Sequence, residues 1–398
     1  MAKEKRKDKK GRNLRERESQ RKDGRYVYKY IDIFGNPQSV YSWKLVPTDK
    51  IPAGKRDDIS LREKVAQINK DLADGIDTVN SKMTVCQLYE KKNNQRKNVK
   101  RSTKAGRQHL MTILENDILG VRKIDTVKLS DGREWAIRMS EKGYSYKTIE
   151  NYKRSLRASF YMAIQDDCIR KNPFDFKLSD VLEDDTKPKA ILTPEQEQRL
   201  LAFMLTDNVY NKYRDEVIIL LETGLRIYEL CGLTHKDIDM VNRIISIDHQ
   251  LLKDSEDGYY VDTPKTKNGV RQLPMTENAY QAFVRINRRR KKKTITVDGY
   301  TGFLFLNRNG LPKTSGNYEN MVHGLIKKYN KTHSESEQLP AVTPHSFRHT
   351  YCINMANKGM NPNTLQYVMG HANITMTLGY YAHGSFESAR AEIQRLVA

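Results

Sequence analysis

The feature that most constrains this chain is an arginine at the edge of an apolar run. Residues 217–222 read VIILLE, and Thr223-Gly224-Leu225-Arg226-Ile227-Tyr228-Glu229-Leu230 follows directly. A run this apolar is core material, so Arg226 enters a stretch that otherwise reads as buried helix. A guanidinium there needs an anionic partner, because an unpaired buried charge is costly. Glu229, three residues on, would serve as an ordinary salt-bridge partner. A bound anion is the other way to satisfy it.

Two further segments of the C-terminal half carry chemistry-bearing side chains. In Thr343-Pro344-His345-Ser346-Phe347-Arg348-His349-Thr350, Thr343 as N-cap and Pro344 behind it announce a helix start. His345 and Arg348 then share one face of the first turn, where free N–H groups favour an anion. The His345/His349 spacing could hold zinc, but no Glu intervenes and Arg348 would repel the metal. In Met369-Gly370-His371, Gly370 ends a helix, and nine residues after His371 comes Tyr380, followed by Tyr381. Two Arg, two His and a Tyr suit phosphoryl transfer without metal. Guanidiniums neutralise the non-bridging oxygens, His moves protons, and a Tyr oxygen can form a covalent phosphodiester.

Composition agrees with a polyanionic substrate. The 398 residues carry 70 Lys+Arg against 49 Asp+Glu, a net charge of +21, which points to nucleic acid first and an anionic membrane second. The absence of any run of ~18 apolar residues argues against a transmembrane span. The start, MAKEKRKDKKGRNLRERE, lacks the apolar stretch of a secretory signal. Cys86, Cys168, Cys231 and Cys352 stand singly, which fits a reducing compartment and argues against a zinc ribbon or a disulfide scaffold. The expectation is a cytoplasmic, multidomain chain with no membrane partner and no cofactor.

Charge and periodicity divide the chain into an α+β multidomain protein. Residues 1–80 read as a basic arm plus a small β-hairpin or sheet with one helix. The first 20 residues are too polar to fold alone and read as flexible. A hairpin follows (RYVYKYI, FGNP, SVYSWKLV), then a helix opened by Ser60 with Glu63 in a capping box and stopped by Gly75. Arg25, Tyr28 and Lys29 are candidate DNA contacts, although the tyrosines could equally pack beneath the helix. Residues 81–175 read as four helices near 84–92, 102–116, 129–142 and 145–168. Lys91 to Arg107 holds eight basic residues and no acid: Lys91, Lys92, Arg96, Lys97, Lys100, Arg101, Lys104 and Arg107, read as phosphate contacts. Residues 176–192 read as a linker. Residues 193–398 read as a mixed, mainly helical domain, with one helix spanning 214–231 and strands at 243–249, 258–263, 270–274 and 303–306. The run Arg285–Lys293 is a further candidate contact.

The series TGLRIYEL, HSFRHT, MGH and the nine-residue step to Tyr380 resembles the tyrosine recombinase (phage-type integrase) family, and most closely the integrases of conjugative transposons. The resemblance covers most of the chain. It implies an arm-binding domain, a helical core-binding domain and a catalytic domain of the tyrosine recombinase type. It further implies that Arg226 and Arg348 clamp the scissile phosphate, that His345 takes the proton of Tyr380 and that His371 holds a phosphate oxygen. The family's hairpin lysine, the general acid, would be Lys265 or Lys267. His349 is read as packing. The implied reaction is site-specific recombination through a 3′-phosphotyrosyl link and a Holliday junction, by a homotetramer on double-stranded DNA with core and arm sites, with an accessory excisionase. The tail helix, with Phe386, Ala389, Ile393 and Leu396 on one face, would pack on a neighbouring subunit. A type IB-like topoisomerase and a non-catalytic DNA-binding protein are the alternatives. A metal nuclease fails for want of clustered carboxylates and metal-spaced ligands.

Overall fold

Alternating tyrosines build the N-terminal sheet. In the computed structural model, which describes residues 6–75, 82–186, 190–254, 258–264, 266–289 and 295–381 with 390, 393, 394 and 397, β1 (Glu18–Gln20), β2 (Tyr26–Ile31) and β3 (Pro37–Ser42) pair antiparallel in that order. The two-residue period places Tyr26, Tyr28 and Tyr30 on one face, against Leu45 and against Leu61 of α1 (Leu61–Ala73). Ser60 and Glu63 close the capping box at the start of α1. Tyr28 stacks on Tyr30 with ring centroids 6.2 Å apart and is only 9% exposed, so the packing alternative holds for it.

The polar start is no flexible arm from Arg6 onward. Asp8 is buried, and its carboxylate accepts from Arg12 Nε at 2.9 Å and from Tyr26 Oη at 2.9 Å. Arg12 reaches on to Asp49 at 2.8 Å, and buried Glu18 pairs with Arg62 at 3.2 Å. The charges that argued against folding are satisfied by one another, which removes most of the cost of burying them.

Four helices form a separate core: α2 (Val85–Asn94), α3 (Arg101–Glu115), α4 (Leu129–Glu141) and α5 (Tyr146–Gln165). Trp135 packs edge-on against Phe174 at 5.6 Å, and Ile149, Leu156 and Phe160 line the buried stripe of α5. Leu178, within the segment read as a linker, is buried in the same core. By its contacts the chain divides into two compact units, residues 1–187 and 188–398, and the first holds both of these cores.

The second unit opens with α6 (Pro194–Thr206), α7 (Arg214–Thr223) and α8 (Ile227–Gly232). The single helix expected over 214–231 is broken because Gly224 caps α7 in the left-handed region, at φ 61°. A Cβ there would stand 2.5 Å from the Tyr351 ring, so only glycine fits. Strands β4 (Ile238–Asp239), β5 (Ile244–Ile247), β6 (Gln250–Lys253), β7 (Tyr259–Asp262) and β8 (Arg271–Pro274) form one sheet, β4-β5-β8, and a separate β6-β7 hairpin. Strand β6 was not anticipated. The strand expected at 303–306 reduces to isolated bridges, Phe303 to Thr234 and Leu306 to Pro312, since Phe303 and Phe305 are buried as core rather than laddered. Helices α9 (Glu277–Arg288), α10 (Ser315–Thr332), α11 (Pro344–Asn357), α12 (Pro362–Met369) and α13 (Thr375–Tyr381) complete the unit. Among the described residues no helix is long and apolar enough to cross a membrane. Most of the proposed tail face (Phe386, Ala389, Leu396) lies outside the described residues, as do Arg290–Lys293.

Replacing Asp8 with Ala should strand Arg12 and Tyr26 and cost about 1–3 kcal/mol in the N-terminal domain. Faster hydrogen exchange along Val27–Ile31 would register the loss, whereas a flexible start would leave exchange unchanged.

Candidate active site

Two helix ends supply the anchors for two arginines. Arg348, in the second turn of α11, is 3% exposed; it donates to the carbonyl of Gly224, which caps α7, at 2.6 Å, and to that of Met369, the last residue of α12. Arg226, the N-cap of α8, donates to the carbonyl of Gly370, the cap of α12, at 2.8 Å. Carbonyls at helix C-termini carry partial negative charge, so they hold guanidiniums well. Gly370 also sits at φ 60°, and a Cβ there would lie 2.9 Å from Asn268 O and 3.0 Å from Arg271 Nη1. The glycines at 224 and 370 thus let the chain come close enough for the arginines to lock.

Glu229 answers the charge that the apolar run posed. It accepts from Arg226 Nη1 at 2.7 Å and from the Arg226 backbone N–H at 2.9 Å. Its other neighbour is Arg271 on β8, fully buried, which donates to both carboxylate oxygens at 3.0 and 2.9 Å and to Val368 O at 2.7 Å. Burial alone would raise the Glu229 pKa, but Arg271 and then Arg226 overcome it and hold the group at about 2. Arg271 was missed in the sequence. The available signal was its place two residues from Leu273 on the inward face of a strand.

His371 is 5% exposed, with Nδ1 2.9 Å from Thr377 Oγ1. Burial, followed by the fields of Arg348 and Arg226, pulls its pKa to about 4, so the ring is neutral at pH 7. The Tyr380 ring stacks alongside it, centroids 6.4 Å apart. Burial pushes the Tyr380 phenol up to about 12, and its hydroxyl hydrogen-bonds His349 Nδ1. His349, read as packing, therefore faces the phenol, while His345 is exposed and lies edge-on to the His349 ring, with centroids 4.5 Å apart. Tyr381 donates its hydroxyl to Met360 O, a structural tie. Arg348 is lowered to about 9, by burial first and then by Arg226, and remains a cation at neutral pH.

Of the two hairpin lysines, Lys265 lies outside the described residues. Lys267 is exposed, in a short turn hooked to the same centre by Asn268, which donates to His371 O at 3.0 Å. Among the described residues one group has metal-ligand spacing, Asp237, Asp248 and His249. Its His249 nitrogens already contact Asp248 and the Gly232 carbonyl, so the group is a structural brace on α8.

In the first unit, Arg96, Lys97, Lys104 and Arg107 line a groove of about 860 Å³ beside α2 and α3. Lys100 is the N-cap of α3 with no side-chain cap bond, and Arg101 follows it, exposed. Lys92 is half-buried, and Lys91 pairs with Asp166 at 2.8 Å. On the small sheet Lys29 is exposed, and Arg25 stands 5.5 Å from the Tyr41 ring and 5.7 Å from Trp43.

Glu229→Gln should leave Arg271 buried and undercompensated, destabilising the second unit by about 3–5 kcal/mol. Because the Glu229 pKa in the folded chain lies below its ordinary 4.5, its stabilisation is full above that pH and fades as pH falls toward 2. Acid melting curves should show that loss in the parent and lack it in the variant.

Residues 190–388 match the phage integrase family, residues 84–179 its SAM-like domain, and residues 2–72 the DNA-binding domain of Tn916 integrase. The chain is 63% identical over 394 residues to the transposase from transposon Tn1545 of Streptococcus agalactiae, covering 99% of this chain and 97% of the relative. Identity and coverage are the same for the transposase from transposon Tn916 of Enterococcus faecalis. The Tn1549 transposon integrase, solved with circular-intermediate DNA, superposes with a TM-score of 0.75 at 61% identity, covering 79% of this chain and 99% of that one. The chain belongs to the phage integrase family and is a tyrosine-type site-specific recombinase, of the kind carried by mobile transposons.

Proposed function

We propose that this recombinase cuts and rejoins double-stranded DNA with Tyr380 as nucleophile. The observation that carries the reading is the convergence of Arg226, Arg348, His371 and the phenol where α7 and α12 end and α11 begins. Tyr380 Oη attacks the scissile phosphorus, forms a 3′-phosphotyrosyl bond and releases a 5′-hydroxyl. Two guanidiniums already fixed by backbone carbonyls neutralise the non-bridging oxygens without reorganising. Neutral His371, its Nδ1 taken by Thr377, offers Nε2–H to a phosphate oxygen. The phenolic proton passes to a histidine of α11, for which the family resemblance names His345. The departing oxygen is protonated by the hairpin lysine, Lys265 or Lys267. The bond energy stays in the phosphotyrosine, so rejoining needs no nucleotide.

Basic residues at the N-terminus of α3 and along its groove suit the backbone of core DNA, and the cation-flanked aromatics of the small sheet suit a separate arm site. A homotetramer exchanging strands through a Holliday junction, assisted by an accessory excisionase, completes this reading.

Nicked suicide DNA from the element ends, incubated in EDTA, should yield a denaturant-stable, protease-sensitive adduct that vanishes in Tyr380→Phe. No adduct on DNA that the parent binds would refute the catalytic reading. Arg226→Ala should slow cleavage by about 10²–10³-fold while binding changes little; equal losses would make Arg226 structural. Removing residues 1–80 should spare core-site cleavage and abolish recombination that depends on arm sites, so full recombination by the truncated chain would overturn the arm assignment.

A further inference from the structure

We propose that His349 Nδ1, and not His345, is the immediate proton acceptor for the Tyr380 phenol. The role rests on Tyr380 being the nucleophile. His349 follows Arg348 on α11, so it points about 100° around the helix from the buried guanidinium, toward α13. There its Nδ1 and the phenolic oxygen are hydrogen-bonded, with the two rings 5.7 Å apart. The neighbouring Tyr381 hydroxyl, tied to Met360 O, fixes the rotation of α13 that aims Tyr380 at this imidazole.

A hydrogen bond donated by the phenol requires a lone pair on Nδ1, which places the His349 proton on Nε2. Among the described residues, the groups acting on this pair are His345, edge-on to His349 on the same helix, Arg348 and Cys352 through their fields on the phenol, and His371, stacked beside Tyr380. The buried phenol is hard to ionise by itself, since burial pushes it up to about 12. A base already in contact removes that obstacle. As Tyr380 Oη bonds to phosphorus, its O–H bond breaks and the proton goes to Nδ1. The bond from phosphorus to the 5′-oxygen breaks, and that oxygen takes a proton from the hairpin lysine or from water. In rejoining, the 5′-oxygen attacks phosphorus as its proton returns to the hairpin lysine or to water, the bond from phosphorus to Tyr380 Oη breaks, and His349 gives its proton back to the departing phenolate.

Single-turnover cleavage of nicked suicide DNA by the full chain tests the role. His349→Gln keeps the volume and a hydrogen-bonding tip but lacks a base. It should slow cleavage by about 10²–10⁴-fold with DNA affinity and melting temperature unchanged, and should lose the rise of rate with pH on the acid side. A site-specifically placed difluorotyrosine at position 380, a more acidic phenol, should restore much of the lost rate in His349→Gln and add little to the parent. Cleavage by His349→Gln at the parental rate, or loss of the acid limb in His345→Gln instead, would overturn the assignment. So would a slow variant that the acidic phenol fails to rescue, since that result means positioning alone. A Tyr380→Phe chain with His349 intact that still forms the adduct removes the nucleophile itself, a failure distinguishable from all of these.

Discussion

Glu229 lies 1% exposed between the guanidiniums of Arg226 and Arg271, and the active-site region is arranged around that one carboxylate. Three arginines crowd this region, counting Arg348, and one carboxylate cannot neutralise them all. The remaining electrostatic support comes from the carbonyls of Gly224, Met369, Gly370 and Val368, most of them at helix ends. These contacts hold the arginines in place yet leave positive charge in excess. That excess suits a bound phosphodiester. The arginines do not have to be gathered when the anion arrives, which is where preorganised sites gain over water.

The same charge excess explains the state of the other groups. Burial and the neighbouring cations keep His371 neutral, so in the proposed reaction it serves as an oriented hydrogen-bond donor rather than as an ion. Burial keeps the Tyr380 hydroxyl protonated even with the His349 imidazole in contact.

Fold and chemistry meet at two glycines. Gly224 and Gly370 end helices in the left-handed region, and each also makes room where a Cβ would strike a neighbour. Their carbonyls then face the arginines. Substituting either residue would strain the backbone and displace an anchor together, so local conformation and catalytic geometry are coupled through the same atoms.

The sequence by itself determined the family and the mixed α+β character, and it pointed to the residue types of the candidate site. Those depend on short-range patterns: caps such as Thr343-Pro344 and Ser60 with Glu63, the helical stripe Ile149–Leu156–Phe160, and the order of the Arg, His and Tyr motifs. Tertiary structure decided the rest. It split the helix at Gly224, folded the polar start around Asp8 and Glu18, turned Tyr28 inward, and brought in Arg271. It also turned His349 from apparent packing toward the phenol. Each of these depends on which partner lies across space: Arg12 for Asp8, Glu229 for Arg271, Tyr380 for His349. A charge or a phenol in one segment carries no mark of the segment that will meet it, and that pairing exists only once the chain has folded.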